Sequence, residues 1–300
     1  MTDGKAWVPQ RMAVVGAGTM GHGIAQVAAM AGAETVLTDV SEDALTKATD
    51  RVRANLEKGV SLGKVEAGAR DRALAALHTS TELSAAVNGA ELVVEAVPED
   101  RALKDRVLTA MEEAAPEDAL LATNTSSYSI DELAGTLRRP ERLLGLHFFN
   151  PVHIMGLVEV IHGERTDPAA LDRGVAFVEA LGKEPVVVRD SPGFASSRLG
   201  VALGLEAMRM VEEGVARPRD IDRAMELGYR HPMGPLRLSD LIGLDTRLGI
   251  AEYLHETLGA ERFRPPELLR RMVDEGKLGR KVGRGFYAWD EDGNARDPSD

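Results

Sequence analysis

Two rhythms of apolar residues alternate along the first 190 positions. Short apolar runs at RMAVVG (11–16), ETVLTD (34–39), ELVVEAV (91–97), ALLATN (119–124), RLLGLHF (142–148), LVEVIHG (157–163) and EPVVVRD (184–190) read as strands. Helical spacing fills most of the intervals. The longest such stretch is opened by Ser41 as cap with Glu42 and Asp43 behind it, and carries Lys47, Arg51, Arg53 and Lys58. Helices alternating with buried strands imply a largely parallel sheet covered on both faces. One interval differs: between Phe148 and Leu157 there is only loop-like NPVHIMG sequence, too short for a crossover helix, so these two strands are expected to pair antiparallel.

Beyond Asp190 the rhythm changes. SPGF breaks the pattern, and helical spacing then runs over 196–213, 218–227, 235–258 and 265–275, with no strand expected. Three hundred residues suit two cores better than one, so the chain divides into residues 1–190 and 191–300. Gly200 and Gly204 lie on a helix face continued by Ala207, Met208 and Val211. Small residues there permit close helix approach, read as a homodimer contact through the helical domain. The polar tail EDGNARDPSD is expected to fray.

Composition narrows the partners. With 44% hydrophobic and 28% charged residues the chain is an ordinary folding sequence. Its 48 acidic residues outnumber 36 basic ones, for a net charge of −12, and no Lys/Arg-rich stretch stands out, so nucleic acid is not an expected partner. A small anionic ligand stays compatible, because backbone amides hold phosphates locally. There is no cysteine, which excludes disulfides and thiolate-bound metals. No apolar stretch reaches the roughly 20 residues a bilayer demands, and MTDGKAWVPQ lacks a signal-type apolar region, so no membrane partner and a cytoplasmic location are expected. His22, His78, His153, His162, His231 and His255 are scattered, so no metal site is expected.

The chemistry concentrates at three places. Gly16, Gly18 and Gly21, with Met20 in the same turn, form G-x-G-x-x-G between a strand and a helix, the context in which that pattern holds a dinucleotide pyrophosphate. Asp39, 18 residues after Gly21, suits the adenosine ribose hydroxyls and repels a 2′-phosphate, which selects NAD over NADP. The fold class is therefore α/β, a Rossmann-type mostly parallel sheet domain followed by a smaller all-helical domain. Second, a hairpin turning about residue 153 sets His147 directly opposite Glu159 on one face. The carboxylate then fixes the imidazole tautomer and stabilises the imidazolium, leaving the other ring nitrogen to take a hydroxyl proton. Third, Asn124, Thr125, Ser126 and Ser127 lie just past a strand, at the carboxyl edge where open α/β sheets bind ligands; loop capping is the equal alternative.

GAGTMGHGIAQVAA, ELVVEAVPED, NTSS, LHFFNPV, LVEVI, DSPGF, HPMGP, GLDT and GRKVGRGFY, in this order from about residue 11 to 287, closely resemble the monofunctional 3-hydroxyacyl-CoA dehydrogenases, 3-hydroxybutyryl-CoA dehydrogenases among them. The resemblance implies reversible NAD-dependent oxidation of an L-3-hydroxyacyl-CoA to the 3-ketoacyl-CoA, in fatty-acid β-oxidation or butanoate metabolism, with His147 as base and Glu159 as its partner. It also implies that Ser126 holds the substrate oxygen, and that Glu99, Lys104, Asn150 and Lys281 contact the cofactor beside Asn124. One departure stands out: PGFASSR carries Ser197 where many members have asparagine, so the catalytic set reads His147, Glu159, Ser126 and, ranked last, Ser197. For the CoA moiety the helices after Asp39 offer Asn55, Lys58 and Lys64. No hydratase-like segment precedes Gly16, so a fused multifunctional enzyme is not expected. The alternatives are an L-gulonate-type sugar-acid or hydroxyacid dehydrogenase on the same scaffold, and a non-catalytic dinucleotide-binding relative.

Overall fold

The computed structural model describes residues 6–296, in two compact units, Met1–Ser191 and Pro192–Asp300. The first is built from β1 (Arg11–Val15), α1 (Gly21–Ala31), β2 (Glu34–Thr38), α2 (Glu42–Ser61), α3 (Ala67–Ala76), β3 (Leu77–Ser80), α4 (Leu83–Val87), β4 (Leu92–Glu95), α5 (Arg101–Ala114), β5 (Leu120–Thr123), α6 (Ile130–Ala134), β6 (Leu143–Phe148), β7 (Leu157–His162), α7 (Pro168–Ala180) and β8 (Glu184–Arg189). The sheet order is β3-β2-β1-β4-β5-β6-β7-β8. Every neighbouring pair is parallel except β6 with β7. This is a Rossmann-type sheet whose strand order reverses beside β1, so the β1–α1 turn and the end of β4 open onto one crevice. Strands β4, β5 and β6 are buried along their whole length, as expected for strands covered on both faces.

Local chemistry sets the helix starts. The Ser41 hydroxyl accepts from the Ala44 amide, and Glu42 and Asp43 occupy the first turn of α2, so cap and dipole agree. Helix α1 packs against the β6–β7 loop: a Cβ on Gly23 would stand 2.8 Å from Val152 Cβ, so glycine is needed for that approach. Strand β3 is absent from the sequence reading. It is four residues long with only its ends partly covered, so it lacks a periodic signal and exists through its pairing with β2.

The second unit holds α8 (Ser196–Glu212), α9 (Pro218–Gly228), α10 (Pro235–Ile242), α11 (Leu244–Leu258), α12 (Glu267–Asp274) and a minimal hairpin of β9 (Ala288–Trp289) with β10 (Ala295–Arg296). The single helix expected over 235–258 is two, because Gly243 takes φ +108° and breaks it. The hairpin corrects the expectation of no strand beyond Asp190 and of a tail frayed throughout; residues 297–300 of that tail lie outside the described residues. The stripe of small residues is also corrected. Gly204, Ala207 and Met208 are buried in this unit's own core, and a Cβ on Gly204 would stand 3.1 Å from Ser239 Oγ of α10, so the close approach is made within the chain.

Two buried carboxylates tie this unit together. Asp240 accepts from the Phe286 and Tyr287 amides and from Trp289 Nε1, and Asp222 accepts from the Leu236 and Arg237 amides and from Tyr287 Oη. Burial pushes both carboxyls above their ordinary range against those hydrogen bonds. Among the described residues, no helix is long and apolar enough to cross a membrane.

Candidate active site

The glycine turn divides its labour. Gly16 takes φ +107° and donates its amide to the Thr38 carbonyl at 2.7 Å, and a Cβ there would stand 2.7 Å from the Ala96 carbonyl oxygen. A Cβ on Gly21 would strike the Gly16 carbonyl. Gly18 has nothing within 4 Å of its Cβ position. Two glycines are thus demanded by the protein's own packing, and the third leaves open space where a ligand can reach the backbone. Helix α1 behind them has no acidic residue in its first turn, so no side-chain charge offsets the partial positive charge of its amides. Asp39, just past β2, accepts from the Ala17 amide at 2.9 Å and the Ser41 amide at 3.0 Å, fastening the glycine turn to the start of α2. A cleft of about 530 Å³ runs along this edge, lined by Gly16, Gly18, Met20, Asp39, Glu99, Asn124, Ser126 and His147, among others.

At the cleft's far wall the antiparallel register pairs His147 with Glu159. The Nδ1–Oε2 distance is 2.7 Å, with the histidine 7% and the glutamate 1% exposed. The imidazole also rests against the Phe149 ring, 4.5 Å between centroids. Asn124 Oδ1 accepts the Phe148 amide at 2.9 Å, tying the end of β5 to the end of β6 beside the histidine.

The NTSS loop hangs on one carboxylate oxygen. Glu99 Oε1 accepts from Thr125 Oγ1 at 2.6 Å, from Ser127 Oγ at 2.8 Å, and from the Ser126 and Ser127 amides at 3.0 and 3.2 Å. Burial alone would raise the Glu99 carboxyl, but the Lys104 charge and these donors outweigh it and hold it below the ordinary range. Lys104 itself is 1% exposed and does not line the cleft. Its ammonium bonds both oxygens of fully buried Glu95, at 2.9 and 3.0 Å, and lies 3.2 Å from Glu99. Its reach is therefore to the loop through Glu99, and the contact with a cofactor expected of it is not direct in this arrangement. Glu95, fixed also by Thr123 Oγ1 and the Val97 amide, escaped the sequence reading. An acid within the apolar run that follows Glu91 in ELVVEAV was the available signal.

Asn150 lies exposed on the loop after β6 and outside the cleft lining. Ser197 and Lys281 belong to the second unit. Ser197 is half-buried in the first turn of α8, and the Lys281 ammonium pairs with both Asp245 oxygens at 2.6 and 2.5 Å. A second cavity of about 900 Å³ opens between α2 and the β6–β7 loop; Asn55, Lys58, Lys64, His153 and Lys183 are on its wall. Lys183 Nζ donates to the Val152 and Met155 carbonyls at 2.6 Å each, which pins that loop. Burial pushes Lys183 down; burial, then the neighbouring charges of His22, Lys183 and Lys58, push His153 down. Among the described residues, no group of three or more His, Asp or Glu is placed to hold a metal ion.

A family model described as the NAD binding domain of 3-hydroxyacyl-CoA dehydrogenase matches residues 11–191, and one for the C-terminal domain of that family matches residues 193–289. The 3-hydroxybutyryl-CoA dehydrogenase of Mycobacterium tuberculosis is 46% identical over 282 residues, 93% of this chain and 98% of that protein. The human mitochondrial hydroxyacyl-coenzyme A dehydrogenase is 40% identical over 292 residues, 95% of this chain and 93% of that protein. The crystal structure of (S)-3-hydroxybutyryl-CoA dehydrogenase PaaH1 from Ralstonia eutropha superimposes with a TM-score of 0.91 at 39% identity, covering 94% of this chain and all of that one.

Proposed function

The chain belongs to the 3-hydroxyacyl-CoA dehydrogenase family and is an NAD-dependent oxidoreductase of 3-hydroxyacyl-CoA, and from that premise we propose how its own residues carry the reaction. The open Gly18 backbone, the uncompensated start of α1 and the Asp39 carboxylate fit the pyrophosphate and adenosine ribose of NAD. NAD, when bound, supplies the hydride acceptor.

The carrying observation is the 2.7 Å contact of His147 Nδ1 with Glu159 at the wall of the cleft that the glycine turn also lines. With Nδ1 engaged, His147 Nε2 takes the proton of the substrate 3-hydroxyl as the C3 hydrogen leaves with its electron pair. The product is a C3 ketone. Glu159 is a positioning residue: it holds the ring and stabilises the imidazolium. Ser126 Oγ donates to the reacting oxygen, aimed by Glu99. Lys58, Lys64 and Lys183 gather positive charge at the second cavity in a chain of net charge −12, and this is where the CoA phosphates are seated.

The names of the similar proteins favour a short acyl chain and a step of fatty-acid or butanoate metabolism. A cytoplasmic homodimer completes the reading. Large apolar side chains left exposed on the helical unit, Leu199, Leu227 and Tyr229, support its dimerisation role. The test is NADH consumption by purified protein with acetoacetyl-CoA and with a longer 3-ketoacyl-CoA. Turnover faster on the four-carbon substrate is expected. Inactivity on both, with NADH still bound, would overturn the reading.

A further inference from the structure

The turn that joins the catalytic histidine to its glutamate is held from outside the hairpin. In the loop between β6 and β7 the Pro151 carbonyl accepts the Ile154 and Met155 amides at 2.9 and 3.0 Å, which closes a single helical turn. Such a turn leaves its later carbonyls without amide partners. Two of them, on Val152 and Met155, accept from one donor, Lys183 Nζ, at 2.6 Å each. Lys183 stands between α7 and β8, and the next residue continues the fastening, the Glu184 amide donating to the Gly156 carbonyl at 2.7 Å. On the loop's other side Val152 is buried against Gly23 of α1. Residues 153–156 are exposed, so this half of the turn depends on the lysine's hydrogen bonds more than on packing. Both ends of the loop run directly into the strands that pair His147 with Glu159.

The same ammonium is on the wall of the cavity of about 900 Å³, together with Lys58 and Lys64. An ammonium carries three donors and the two carbonyls take two, which leaves one for an anion in that cavity. Among the described residues no carboxylate forms an ion pair with Lys183. Burial alone pushes it below the ordinary lysine range, and an incoming phosphate would reverse that.

We propose that Lys183 is a positioning residue that ties occupancy of this cavity to the alignment of His147 with Glu159, so that the anionic end of CoA raises kcat as well as anchoring the substrate. The inference rests on the reading that the CoA phosphates lie in this cavity. A phosphate drawn to the third donor fixes the ammonium, the ammonium fixes the Val152 and Met155 carbonyls, and their loop sets where β6 ends and β7 begins. Interaction energy made far from the reacting carbon is then realised at the imidazole. Slack in the turn need not be large, because displacing a reacting group by about 1 Å can slow the chemistry by about 10²-fold.

The test uses the full chain with NADH and compares acetoacetyl-CoA with acetoacetyl-pantetheine, which lacks the phosphates and the nucleotide, each at saturation. In the wild type kcat should be about 10- to 100-fold lower on the truncated substrate. Adding adenosine 3′,5′-bisphosphate, the nucleotide end of CoA, should raise that lower kcat by about fivefold or more. In Lys183→Met the ratio of kcat between the two substrates should fall to about threefold or less, and the activation should disappear at bisphosphate concentrations that saturate the site by competition with acetoacetyl-CoA. Lys183→Arg, which keeps the charge and can still reach the carbonyls, should retain most of both effects. Should Lys183→Met fail to fold, Lys183→Gln carries the same comparison. A merely structural role would lower kcat on both substrates in proportion and leave ratio and activation as in the wild type, and that result overturns the proposal. Equal kcat of the wild type on both substrates, or bisphosphate binding without activation, overturns it too while leaving CoA in the cavity. Failure of the bisphosphate to compete with acetoacetyl-CoA removes CoA from this cavity, and the proposal with it.

Discussion

Replacing Glu159 by glutamine removes a charge and little else. The side chain is 1% exposed and keeps its length, and the amide oxygen can still accept from Nδ1, so the register of β6 with β7 should survive. What is lost is the attraction between carboxylate and imidazolium, which exists only after His147 has taken the proton. For charges about 4 Å apart at an effective dielectric of about 20, that attraction is about 4 kcal/mol, and about half is a conservative lower figure once neighbouring dipoles reorganise. Each 1.36 kcal/mol is a factor of ten in rate, so kcat should fall by about 30- to 1,000-fold. The assay is the NADH absorbance trace with saturating acetoacetyl-CoA, beside NADH binding followed by fluorescence. NADH affinity should change less than threefold, because Glu159 does not line the cleft where the cofactor lies. A kcat within about threefold of wild type would show that the carboxylate does not act through the imidazolium, and the positioning argument would fail.

The glycine turn makes a paired prediction. Gly18→Ala should leave the melting temperature within about 2 °C and weaken NADH binding by tenfold or more, because its Cβ meets no protein atom and enters the ligand's space; Gly21→Ala should destabilise the fold by several kcal/mol through its collision with the Gly16 carbonyl. Asp39→Ser should narrow the preference for NADH over NADPH by about tenfold or more in kcat/KM, and an unchanged ratio would remove Asp39 from cofactor choice. Glu99→Gln should lower melting temperature and kcat together by loosening residues 125–127. Because the Glu99 carboxyl is held below its ordinary range, the wild type's advantage in stability over this variant should be full above the unfolded-state pKa of about 4.3 and lost as pH falls through the lowered folded value; an advantage independent of pH would contradict the assignment.

Much of this was legible because periodicity carries it. His147 and Glu159 are twelve residues apart across a hairpin too short for a crossover, and an antiparallel pair with side-chain period two leaves them facing each other. Glycine spacing between a strand and a helix told as much about the cofactor edge. What stayed hidden depends on contacts between distant residues. Strand β3 has no pattern of its own, and Lys104 reads as one more helix cation until Glu95 and Glu99 are seen around it. Gly204 reads as an open stripe until Ser239 is found facing it.

The most direct test of the central claim is single-turnover reduction of acetoacetyl-CoA by enzyme preloaded with NADH, for wild type and His147→Gln side by side. The account predicts equal NADH loading, with the rate of NADH oxidation lowered by about 10²-fold or more in the variant. Near-equal rates at equal loading would contradict it and remove His147 as the group that moves the proton.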